Sequence, residues 1–92
     1  MKDKVMKVLE ELWSNYHNSD KKQIKPPTLD RVTRVIATDD YLETRRQVKA
    51  ILSEDCFVKV REKDNCGISW FCFCHKDSQY LSECLASKNR VA

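Results

Sequence analysis

The 92 residues contain one glycine, Gly67, and its position constrains the chain more than any other feature. It stands between "CFVKVRE" (56–62) and "ISWFCFC" (68–74), two segments in which the side-chain pattern alternates with a period of two. A period of two belongs to a half-buried strand. A lone glycine between two such segments is the residue that accepts a positive φ in a tight hairpin loop. Placing Gly67 third in a three-residue loop, Asn65-Cys66-Gly67, sets Val60 opposite Cys72 and Val58 opposite Cys74. That register keeps parity. Cys56, Val58, Val60, Trp70, Cys72 and Cys74 then share one face, able to lie on helices, and Phe57, Lys59, Arg61, Phe71 and Phe73 share the other.

The rest of the chain is helical in pattern. Val5, Val8, Leu9, Leu12, Trp13 and Tyr16 recur at spacings of three and four and predict a helix over 3–17. Pro26 and Pro27 forbid helix just before them. A second helix is expected to start at an N-cap on Thr28, to bury Leu29, Val32, Val35 and Ile36, and to stop near Thr38–Asp40. In the third, "YLETRRQVKAILSED", Thr44 is the expected cap, with Tyr41 and Leu42 packed in the preceding turn. Val48, Ile51 and Leu52 form its inner face, and Arg45, Arg46, Lys49 and Ser53 take the other. The pattern over 77–88 predicts a last helix capped by Asp77 or Ser78, with Tyr80, Leu81, Cys84 and Leu85 inward.

The order is helix, helix, short turn, helix, hairpin, helix. With "KPPTLDRVTRVIATDDYLETRRQVKAILSEDCFVKV" in place, the chain resembles the winged helix-turn-helix family of DNA-binding domains over about residues 5–75. The resemblance implies an α+β fold: a three-helix core, a two-stranded hairpin as the wing and a C-terminal helix, all in one domain over 1–92 with its core at about 3–88. It also implies binding of double-stranded DNA by a small transcriptional regulator acting as a homodimer through its first or last helix. The third helix would be the recognition helix. One departure is the turn before it, "TDDYLE", which is longer and more acidic than the family's tight turn. Acids there repel phosphate.

Three basic groups carry the expected DNA contacts. Arg45, Arg46 and Lys49 lie on the exposed face of the third helix, where an arginine can grip guanine through two parallel hydrogen bonds. Lys59, Arg61 and Lys63 project from one side of one strand, suited to the flanking phosphates. Arg31 and Arg34 on the second helix would assist. Each group has a plainer reading, as a solvated helix face or as lysines that keep an edge strand from pairing. Net charge is only +3, from 17 basic and 14 acidic residues, so composition alone does not select nucleic acid. The rival expectation is a winged-helix adaptor for another protein, which the acids at 39–43 suit better.

Five cysteines cannot all pair within one chain, and reduced thiols are expected. Cys56, Cys72, Cys74 and Cys84 read as small core hydrophobes. A disulfide from Cys74 to Cys56 or to Cys84 is the secondary expectation. A zinc site from Cys66, Cys72, Cys74 and His75 is disfavoured, because Cys72 and Cys74 are spaced C-x-C and Cys66 would sit roughly 15–20 Å from Cys74 along the strands. An enzyme is not expected. Cys74 and His75 face opposite sides of a strand, and no phosphate loop or Ser-His-Asp set occurs. No cofactor is implied. Trp13 and Trp70 read as core, while Phe71 and Phe73 pack under the last helix or offer a surface to a second subunit. The acids within "MKDKVMKVLEELW" argue against a signal peptide, and no apolar run approaches the roughly 20 residues of a membrane span. A cytoplasmic location is expected.

Overall fold

The computed structural model describes residues 1–19, 26–63, 67 and 69–87. The order is α1 (Lys2–His17), α2 (Leu29–Ile36), α3 (Tyr41–Leu52), β1 (Phe57–Lys63), β2 (Ser69–His75) and α4 (Leu81–Ser87). The fold is α+β: helices, then a two-stranded antiparallel hairpin, then a C-terminal helix. Among the described residues no helix is long and apolar enough to cross a membrane.

The hairpin register is the one that alternation predicts. Val58 faces Cys74 and Val60 faces Cys72. Gly67 takes φ 84°, a conformation that a Cβ would penalise. Asn65 and Cys66 lie outside the described residues. Lys76 N donates to Cys56 O at 2.9 Å and closes the base of the hairpin.

Each face of the hairpin meets a different partner. Phe57 and Phe73 enter a cluster with Val5, Val8, Leu9, Leu12, Val32, Ile36, Val48 and Leu52 of the three helices. Val60, Cys72 and Cys74, on the opposite face, join Trp13 and Tyr16 of α1 and Cys84 of α4. Phe73 therefore packs under α1–α3 and not under the last helix, whereas Phe71 remains exposed. Trp70 is half-buried at the edge of the second cluster.

Phe73 locks the strand to the helices. Its main-chain groups point away from β1. Its N–H donates to Pro27 O at 3.1 Å, and its carbonyl accepts from Trp13 Nε1 at 2.7 Å in a buried bond. Thr28 adds an antiparallel bridge to Cys72. The segment just before α2 thus lies along the free edge of β2, and the hairpin is held beside α2 and α3.

The helix ends follow local chemistry, with several departures from the sequence reading. Thr28 Oγ1 caps α2, accepting from Arg31 N at 3.3 Å. The helix ends at Ile36, earlier than expected, because Ala37 is already extended. Val35 is 54% exposed, whereas Thr33 is buried. Thr33 hides its hydroxyl by donating to Leu29 O at 2.8 Å, so its methyl packs like an apolar group. Asp40, not Thr44, caps α3 by accepting from Glu43 N at 3.0 Å. Tyr41 and Leu42 are consequently in the helix, and Leu42 is 78% exposed instead of packed in the turn. The last helix begins at Leu81, after Ser78 Oγ accepts from Tyr80 N at 3.1 Å, and Leu85 is 47% exposed.

Replacing Trp13 with phenylalanine removes the donor to the Phe73 carbonyl and leaves a small void. The expected loss is about 2–3 kcal/mol in urea denaturation with an unchanged slope. A loss below about 0.5 kcal/mol would show that this bond does not hold β2 to α1.

Candidate functional site

One open groove of about 730 Å³ runs between α3 and the hairpin. Its floor is apolar: Leu29 of α2, Leu52 at the end of α3, and Phe57, Phe71 and Phe73 of the hairpin. The rim is charged. Arg45 and Lys49 stand on the α3 side, Lys59 on the hairpin side, and Lys76 at its base. Asp30, Glu54 and Asp55 also line it. The hairpin twist and the Phe73 anchor bring Lys59 across from α3. Lys59 lies next to Phe71 on the same face, its Nζ 4.2 Å above the ring centroid. A cation over a ring face is attracted by the ring quadrupole.

Charge pairing within the chain changes the roles of the two arginines. Arg45 Nε donates to Asp30 Oδ1 at 2.9 Å, and Tyr41 donates its hydroxyl to the same oxygen at 3.0 Å. The guanidinium of Arg45, then the Tyr41 hydroxyl, holds the Asp30 carboxyl below its ordinary range, and Asp30 in turn raises Arg45. Arg46 turns back along α3 to form an ion pair with Glu43, which also accepts from Gln47 Nε2 at 3.2 Å. Those two donors, Arg46 first, hold Glu43 low. Arg46 is not among the groove-lining residues, so the α3 cations expected to act together divide into Arg45 and Lys49 at the groove and Arg46 away from it.

The remaining expected contacts spread further. Arg61 is exposed on the Lys59 face and donates to Ser69 Oγ at 3.2 Å. Lys63 ends β1, and its side chain lies outside the described residues. Arg31 is half-buried and Arg34 exposed on α2, and neither lines the groove. Lys76 and Asp30 are site residues that the sequence pattern did not single out. Lys76 follows β2 directly, and only the closed hairpin base brings it to the rim. Glu54 is already held by Lys2 Nζ at 2.8 Å.

The cysteine and histidine groups serve packing and turns. Cys56, Cys72, Cys74 and Cys84 carry reduced thiols, the last three fully buried, and Cys66 lies outside the described residues. Among the described residues no cluster of three or more His, Cys, Asp or Glu side chains is arranged to hold a metal. His75 Nδ1 accepts from Asp77 N at 3.0 Å and so shapes the turn after β2. His17 is exposed, as its helix-end position suggests, yet its Nδ1 lies 2.9 Å from Glu83 Oε2 and joins the end of α1 to α4. Comparison of the chain with protein-family models, with curated proteins and with solved structures finds no match.

The Asp30–Arg45 link has a definite pH signature. The folded pKa of Asp30 lies below the ordinary value of 3.8, so the link stabilises fully above about pH 5 and fades as pH falls through the folded value. Asp30→Asn is expected to lower the thermal midpoint at pH 7, and the gap from the parent should close as pH falls through the folded value of Asp30. A gap that persists in acid would assign the loss to Asp30 packing and not to its charge.

Proposed function

We propose that this chain is a winged helix-turn-helix domain that binds double-stranded DNA. The observation that carries the reading is the common groove shared by Arg45, Lys49 and Lys59, with Arg61 further out on the same hairpin face. In this reading α3 enters the major groove, whose width of about 12 Å admits a helix. Arg45 and Lys49 lie on the side of α3 that faces the hairpin. Lys59 and Arg61 hold the flanking phosphates, and Lys76 joins them from the base of the groove. Arg46, Arg31 and Arg34 become peripheral.

Arg45 must exchange Asp30 for a base edge or a phosphate. That exchange is inexpensive, because both partners are substantially exposed and exposed pairs contribute little. In the unbound chain Asp30 keeps Arg45 extended toward the groove, which limits the side-chain ordering that binding requires. Exposed Leu85 on α4 offers a second copy an apolar contact away from the groove, consistent with a dimer that reads two half-sites.

A specific observation also favours the adaptor reading. The floor of the groove is aromatic and aliphatic, and its rim mixes acids with bases. A partner protein could seat an apolar side chain there. Salt separates the two readings. Duplex binding releases counterions, so phosphate contacts by Lys49, Lys59, Arg61 and Lys76 predict a slope of about −3 to −4 in log affinity against log salt.

Fluorescence anisotropy with a random-sequence duplex is expected to show micromolar binding at low salt with that slope. The double variant Lys49→Glu/Lys59→Glu should bind at least tenfold more weakly, give a slope shallower by about 2, and melt at the parent temperature. No binding at low salt would hand the groove to the adaptor reading. Unaltered affinity in the double variant would sink the placement on α3 and β1.

A further inference from the structure

The second core cluster holds three thiols in an otherwise aromatic setting, and packing does not require sulfur at all three positions. Cys72 and Cys74 point to the same side of β2, and Cys84 comes from α4. All three are fully buried. Cys74 and Cys84 share this cluster where α4 packs on β2, whereas Cys56 packs against the other cluster. Ten positions separate Cys74 from Cys84 in sequence, so a bond between them closes a short loop.

We propose that Cys74 and Cys84 form a redox latch, in which a low-molecular-weight disulfide such as oxidised glutathione converts the two thiols into an intrachain disulfide that ties α4 to the hairpin. This inference is independent of the nucleic-acid reading.

In the closed state the pair is inert. The hydrogen bond from Cys84 and burial raise the Cys74 thiol far above its ordinary range and keep it protonated. Access comes through α4. A seven-residue helix is too short to be stable alone, and this one is held by Cys84, Tyr80 and Leu81 on its inner side and by the exposed link from His17 to Glu83. Its opening costs less than global unfolding.

In the open state Cys84 loses its proton to solvent. Its thiolate attacks one sulfur of glutathione disulfide, forms a mixed disulfide and expels one glutathione thiolate. Cys74, now reached by water, loses its proton and attacks the Cys84 sulfur, expelling the second glutathione. The chain gives up two protons and two electrons, that is, two hydrogen atoms. The glutathione disulfide is reduced to two thiols. The product holds α4 on the face of the hairpin opposite the groove, stiffening the strand that carries Phe71 and Phe73.

The test uses the full reduced chain. It is incubated with a series of glutathione ratios, quenched by alkylation and weighed intact. The expected product has lost two hydrogens and takes alkyl groups on three of its five cysteines. Peptide mapping should join Cys74 to Cys84. The thermal midpoint of that product should rise by several degrees and return on reduction with dithiothreitol. Cys84→Ser, or Cys84→Ala if serine disturbs the core, should abolish both the cross-link and the rise. The latch is refuted by glutathione adducts without a cross-link, by a link that uses Cys56, Cys66 or Cys72, or by a Cys74–Cys84 link that leaves the midpoint unchanged. Mapping on the parent chain decides the matter even if neither variant folds.

Discussion

The buried hydrogen bond from Trp13 Nε1 to the carbonyl of Phe73 is the constraint on which the arrangement of layers depends. A strand at the edge of a two-stranded sheet has one row of unpaired main-chain groups, and burying that row without partners is costly. Here β2 spends its outer N–H and C=O at Phe73 on Pro27 and Trp13. Those two bonds place the hairpin against α1 and against the entry to α2. They also set which side of the hairpin faces which helices. Phe57 and Phe73 must then enter the three-helix core, and Val60, Cys72 and Cys74 must face the end of α1 and α4.

The groove follows from the same constraint. Lys59, Arg61 and Phe71 alternate with buried positions, so once Phe73 is inward they stand on the side turned toward α3. Electrostatics within the chain then sorts the α3 cations. Asp30 holds Arg45 at the rim, while Glu43 draws Arg46 back along its own helix. The two arginines adjoin in sequence, but on a helix successive residues point about 100° apart. One faces a carboxylate on α2 and the other a carboxylate one turn away. A basic pair in sequence is not a basic pair in space.

Much of the fold was legible because it rests on short-range periodicity. The stripe of α1 and the pairing of Val60 with Cys72 depend on spacing and on one glycine, and both are local. The errors are also informative. Val35 was placed inward because it is apolar, yet it is exposed, while Thr33 is buried because bonding its hydroxyl to Leu29 O removes the polar cost. The cap of α3 falls on Asp40 instead of Thr44, which moves the start of the helix by one turn and exposes Leu42. Neither Asp40 as a cap nor Thr33 as an inward residue was expected from the sequence; the bonds to Glu43 N and Leu29 O mark both in the structure.

What the sequence determined by itself is therefore the set of elements, the inward stripe of α1 and the hairpin register, because each is encoded within a few residues of itself. Tertiary structure alone decided which face of the hairpin meets which helix, which arginine reaches the groove, and that Cys84, not Cys56, shares a cluster with Cys74. Those outcomes rest on contacts between residues distant in the chain. Trp13 and Phe73 are 60 positions apart and Asp30 and Arg45 are 15 apart, and no local pattern records a pairing at such separations.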